Sequence, residues 1–141
     1  MPQLGNGKAV KMGNLTVKRI KLEDIPADVV EKALKERLSF LNKSNAVYWG
    51  AYEGKTFLGC TCLVEHKNGT GRIKSNYVLE EYRGKGIFKA LHEASIAHAK
   101  EKGLKSVYLN CLEDSAKIHV KYGAVEYMPA TKTIWYLAYR L

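Results

Sequence analysis

Arg83, Gly84, Lys85 and Gly86 stand immediately before an amphipathic run, in the stretch EEYRGKGIFKALHEASIAHAKEKG. Glycine tolerates φ > 0 and lets another group come close to the main chain. A helix N-terminus presents unpaired N–H groups and partial positive charge, which favours anions. Lys89 adds a third cation within seven residues. The spacing therefore predicts a phosphate cradle at a helix start. The same residues would also serve an ordinary strand-to-helix turn with solvated charges.

Something must hold such a loop in place. The chain has 141 residues, enough for one domain with its own core. Its composition, 46% hydrophobic and 26% charged, is that of an ordinary globular protein. There is no long apolar run to span a membrane, and MPQLGNGKAVKMGN lacks the apolar stretch of a signal peptide. Residues 1–14 are expected to form a loose arm and residues 15–141 a single domain. The formal net charge of +9, with a pI near 9.4, suggests an acidic partner, either nucleic acid or a polyanionic cofactor. Cys60, Cys62 and Cys111 cannot all pair with one another and match no zinc spacing. They read as buried reduced thiols of a cytoplasmic protein, with Cys60 and Cys62 on one face of a strand.

Along the chain, LTVKRIKL alternates as a first strand. Asp24 and Pro26 mark a helix entrance, and Val30, Leu34, Leu38 and Leu41 recur at helical spacing after it. AVYWGAYEGKTFLGCTCLVEH predicts a hairpin about EGK, KNGTG a turn, and RIKSNYVL a fourth strand. The next helix should run from about Ile87 to Lys102, burying Ile87, Leu91, Ala94 and Ala97, with Gly103 as its stop. KSVYLNCL predicts a fifth strand, Asp114 a cap for SAKIHVKY, and Gly123 the end of that helix. AVEYM and TIWYLAYRL then form a final hairpin. This order gives a mixed α/β sheet rather than a doubly wound one.

The order, with a basic glycine loop between the fourth strand and the next helix, resembles the GNAT superfamily of acyl-CoA-dependent N-acetyltransferases. YVLEEYRGKGIFKAL looks like that family's acyl-CoA motif: Gln or Arg, two residues, Gly, one residue, then Gly or Ala. Arg83 and Gly86 fill the first two positions, while Phe88 replaces the last small residue. SAKIHVKYGAVEY resembles the family's late helix, with Gly123 in place, Ala124 for the usual Phe and His119 at the usual tyrosine position. Tyr122 lies one turn further on, and Leu112 falls where an Asn is frequent.

The resemblance implies a mainly antiparallel central sheet with helices on both faces and the fourth and fifth strands splayed. It implies acetyl-CoA as acyl donor, its pyrophosphate held by N–H groups of Gly84, Lys85, Gly86, Ile87, Phe88 and Lys89. Arg83, Lys85 and Lys89 would add charge. Asn76, Tyr77 and Val78 would offer backbone hydrogen bonds to pantetheine and the acyl carbonyl.

Transfer to a primary amine needs a polarised thioester, a neutral nucleophile and a proton for the departing thiolate. His119 is the first candidate acid, because it holds the tyrosine position and can titrate near neutral pH; Tyr122 is the second. No carboxylate precedes Glu80 in the fourth strand, so Glu65 and His66, acting through a water, are the candidate bases. Both also read as a solvated hairpin end. Two other functions compete: an acyl-CoA-binding domain without turnover, suggested by Phe88 and His119, and a basic nucleic-acid-binding module, suggested by the charge. The oligomeric state, monomer or homodimer, stays open.

Overall fold

The computed structural model describes residues 14–141. Apart from Asn14, the expected N-terminal arm lies outside the described residues. The strands are β1 (Leu15–Ile20), β2 (Ala46–Glu53), β3 (Thr56–Glu65), β4 (Thr70–Val78), β5 (Ser106–Cys111), β6 (Val125–Met128) and β7 (Trp135–Arg140). The helices are α1 (Ala27–Lys35), α2 (Ile87–Glu101) and α3 (Glu113–Lys121), with short 3-10 turns at Leu22–Asp24 and Glu80–Tyr82. The strands form one sheet in the order β1-β2-β3-β4-β5-β7-β6. Every pairing is antiparallel except β4 with β5. The mixed sheet expected from the sequence is therefore present.

Alternation along β2 sorts the helices onto two faces. Trp49 meets His98 of α2 edge-on, with ring centroids 5.1 Å apart. Tyr48, pointing the other way, bonds both the N–H and the C=O of Leu41, just past α1. Cys62 pairs with Tyr48 and Cys60 with Gly50, so the two thiols share the α1 face. Both are fully buried and free. Burial pushes Cys60 up to about 12 and Cys62 up to about 11, so neither is a nucleophile at neutral pH.

Three details depart from the sequence reading. First, α1 stops before Leu38 and Leu41 can join it. Arg37 turns left-handed at φ 63, and its N–H bonds Leu34 O while the Leu38 N–H bonds Ala33 O. This is a Schellman ending built on arginine rather than glycine. The buried stripe is Val29 and Ala33, and Leu34 is exposed. Second, α2 buries Ile87, Leu91, His92, Ser95 and Ala99, leaving Ala97 exposed. Third, Leu112 holds the N-cap position of α3; Asp114 lies inside its first turn and makes no cap hydrogen bond.

Candidate active site

The cleft begins where two parallel strands separate. β4 and β5 pair only from Thr70 to Arg72 against Ser106 to Tyr108. Beyond that point β4 carries a bulge: Cys60 faces Tyr77 and Cys62 faces Lys74, so Ser75 and Asn76 together oppose Thr61. Ser75 is left-handed at φ 55, and bulges bend the strand that carries them. Side chains pin the kink from both sides. The Ser75 hydroxyl donates to Ser39 O at 2.9 Å, and the Thr61 hydroxyl donates to the Asn76 side chain.

Past the bulge, the main chain of β4 turns one edge to the gap. Leu79 N–H bonds Leu58 O on β3, so the amide one residue earlier points away from β3. Val78 thus directs both its N–H and its C=O into the opening. The carbonyl is taken by Arg83 Nε at 2.7 Å. The N–H is left as a donor.

The glycine loop closes one end of the cleft. Gly84 (φ 77) and Gly86 (φ 86) are both left-handed, and Gly86 is the N-cap of α2 without a side-chain cap. The N–H groups of Ile87, Phe88 and Lys89 open the helix and so lack an intrahelical partner, and the first turn of α2 holds no acidic residue to repel an anion there. Gly84, Gly86, Phe88 and Lys89 line a cleft of about 870 Å³, together with the β4 residues from Asn76 to Val78. The dipole and the open amides suit a phosphate-bearing ligand. Ile87, buried in the core, fixes the start of the helix.

Arg83 departs from its expected part. Its Nη2 reaches both oxygens of Glu36, at 3.0 and 3.1 Å, and its guanidinium lies over the Tyr77 ring. The Tyr77 hydroxyl donates to Glu36 Oε2 at 2.8 Å. That bond, with the Arg83 contacts, holds the Glu36 carboxyl below its ordinary range, while burial pushes Tyr77 up to about 12. Arg83 therefore ties the glycine loop to the end of α1 through Nε and Nη2, while its side chain still lines the cleft. Glu36 was not singled out in the sequence, where it reads as one more exposed position on a longer helix.

Beneath the cleft, Phe88, His92, His119, Tyr122 and Tyr139 pack as one aromatic layer between α2, α3 and β7. Phe88 meets His119 edge-on (centroids 5.3 Å) and stacks with His92 and Tyr122 (6.1 and 6.2 Å). The bulky substitute at the helix start is thus half-buried in packing while its ring remains on the cleft wall.

His119 is 1% exposed, with Nδ1 at 2.5 Å from the Tyr139 hydroxyl. Burial, and then neighbouring His92, pushes it down to about 4. The expectation of a His119 titrating near neutral pH is corrected: a cation here would have to form in an apolar layer beside a second imidazole. Tyr122 also lines the cleft, and its hydroxyl has no protein partner among the described residues.

The two candidate bases lie elsewhere. Glu65 pairs with Gly71, at the far end of the β3–β4 ladder from Val78, and that seven-residue separation spans roughly 23 Å. Its carboxylate is held by His98 Nε2 at 2.7 Å, and His66 is exposed in the turn beyond it. Neither lines the cleft. Strand length separates them from the chemistry, which the one-dimensional spacing did not reveal.

A model of the acetyltransferase (GNAT) family matches residues 16–123. A search of curated proteins found no match. Among solved structures, a GNAT family acetyltransferase from Elizabethkingia anophelis with acetyl-CoA bound aligns over 91% of this chain and 99% of its own, at TM-score 0.71 and 20% identity. The PaiA N-acetyltransferase from Thermoplasma acidophilum in complex with coenzyme A aligns over 90% and 99%, at TM-score 0.74 and 14% identity. The ribosomal-protein-S18-alanine N-acetyltransferase from Escherichia coli aligns over 89% and 93%, at TM-score 0.71 and 13% identity. At these identities the likeness is one of fold.

Proposed function

The chain belongs to the acetyltransferase (GNAT) family, and on that premise we propose that it moves an acetyl group from acetyl-CoA to a primary amine, with residues 15–141 acting as one catalytic domain. The observation that carries this reading is the pair of left-handed glycines, Gly84 and Gly86, opening α2 into the gap between β4 and β5. The N–H groups from Gly84 to Lys89 hold the pyrophosphate, and Lys85 and Lys89 supply charge. The backbone from Asn76 to Val78 receives the pantetheine arm, and the Val78 N–H polarises the thioester carbonyl. The neutral amine attacks that carbonyl, the carbon–sulfur bond breaks, the coenzyme A thiolate takes a proton, and the proton shed by the attacking nitrogen returns through water to the group that supplied it. We assign the thiolate's proton to Tyr122, whose phenol is a donor in the cleft, in preference to the neutral His119. The free cysteines, Cys60 and Cys62 buried and Cys111 only half-buried where burial was expected, fit a reducing compartment such as the cytoplasm.

A calorimetric titration and a melting curve test the donor. Acetyl-CoA at one hundred times its Kd should stabilise the fold by about 2.7 kcal/mol. Silence in both measurements with acetyl-CoA and longer acyl-CoAs would remove the assignment. An amine screen that follows thiol release and product mass together then tests transfer. Binding without thiol release for any amine would leave an acyl-CoA-binding domain in its place.

A further inference from the structure

Glu36 is a carboxylate on the cleft that the donor reading leaves unused. Tyr77 pairs with Cys60, so its side chain belongs to the face of the sheet that carries α1, and it brings Glu36 to that side. The aromatic layer with Phe88, His119 and Tyr122 belongs to the face that carries α2 and α3. A donor seated on the N-terminus of α2 therefore approaches from one face. The second substrate has the other face, where Glu36 and Leu38 line the opening.

We propose that Glu36 determines acceptor specificity by docking a second cationic group of the amine, which makes diamines and lysine-type amines the substrate class. This rests on the acetyl-transfer reading above. Glu36 Oε2 accepts from Tyr77 and Arg83, and Oε1 accepts from Arg83 alone. A carboxylate offers about four acceptor positions, so one remains for an ammonium. The side chain is 46% exposed, open to a ligand yet fixed by three hydrogen bonds from two donor groups. Arg83 bridges Glu36 to the Val78 carbonyl, so one guanidinium separates the carboxylate from the strand end that would hold the thioester. That short span suits two nitrogens separated by a few methylenes, with Leu38 beside the carbon chain. Asp114, the other carboxylate lining the cleft, sits in the first turn of α3 on the donor face. Basic groups also border the cleft: Lys121 lies on the donor face, where the phosphates offset its field, whereas Lys74, paired with Cys62, shares the face of Glu36 and sets a repulsion that the docked ammonium must overcome.

The test is a matched series of amines: 1,4-diaminobutane, 4-aminobutan-1-ol and 4-aminobutanoate. Each is titrated calorimetrically into protein saturated with coenzyme A, so that no turnover is needed. The diamine should bind tightest and the amino acid weakest. Glu36→Gln should weaken diamine binding at least about tenfold, the scale of one charge-assisted hydrogen bond, and change binding of the amino alcohol far less. Equal binding across the series, a preference for 4-aminobutanoate, no diamine binding, or a ranking unchanged in the variant would each overturn the proposal. Should Glu36→Gln fail to fold, the wild-type ranking and Glu36→Asp still decide it. If coenzyme A does not bind, the transfer reading fails on that observation alone, and the same series with the free protein still judges Glu36.

Discussion

Acidification should destabilise this protein well above the range where carboxylates titrate, because His119 is buried as a neutral base. An unfolded histidine titrates near 6.5, whereas His119 in the fold is pushed down to about 4 by burial and by His92. The unfolded chain therefore takes up a proton that the native state refuses. The stability is fully present above about pH 6.5, falls as pH drops below that value, and is lost by the folded pKa near 4. A shift of that size gives about 3 kcal/mol in total, of which about 2 kcal/mol is spent between pH 7.5 and pH 5. For a domain of this size that corresponds to a fall in Tm of roughly 5–10 °C. His92, also lowered by burial, acts in the same direction. Urea unfolding at the two pH values measures the loss, and His119→Gln isolates it. Gln cannot titrate yet can still bond the Tyr139 hydroxyl, so the variant should be less stable at neutral pH and lose across the window only the smaller part that His92 contributes. Wild-type stability unchanged to pH 5, or a variant with the full wild-type slope, would refute the neutral-imidazole argument.

Gly86→Val should raise the acetyl-CoA Kd roughly five- to thirtyfold, because a left-handed residue with a β-branch costs about 1–2 kcal/mol in the cradle itself. Lys85→Ala should cost only a few-fold through one screened charge, and calorimetry on both separates backbone from charge. Tyr122→Phe should lower kcat about 10²-fold with acetyl-CoA affinity nearly intact, while His119→Gln has the milder effect on kcat; the reverse order returns the acid to His119. Phe88→Ala should cost about 2 kcal/mol by denaturant titration, since its ring is half-buried against His119 and Tyr122, without weakening the cofactor.

The three helix endings show where the sequence was legible. α2 and α3 end in the same hydrogen-bond pattern as α1, with Leu104 bonded back to Ala99 and Ala124 to His119. Gly103 and Gly123 occupy the left-handed position in those two, and both stops were readable. In α1 that position belongs to Arg37, a residue that carries no local stop signal. The amphipathic spacing ran straight through it to Leu41. The cost of that one error was functional, because stopping at Lys35 is what brings Glu36 onto the cleft.

The donor side and the acceptor side of the site differ in the same way. The donor side is built from backbone: φ > 0 at Gly84 and Gly86, open amides at a helix start, and a strand edge at Val78. Such features follow from residue type within a few positions, so RGKG announces them. The side proposed for the acceptor is built from side chains brought together across 41 to 47 residues, as Tyr77 and Arg83 converge on Glu36. No local spacing encodes that convergence. His119 lies between the two cases. Its place on α3 was readable, but its charge state is fixed by Tyr139 and His92, contributed by β7 and α2. A histidine's sequence neighbours say little about its pKa when the groups that desolvate it arrive from other elements. For this fold, then, the glycine loop is written locally, whereas the charge state of His119 and the setting of Glu36 are properties of the packed sheet.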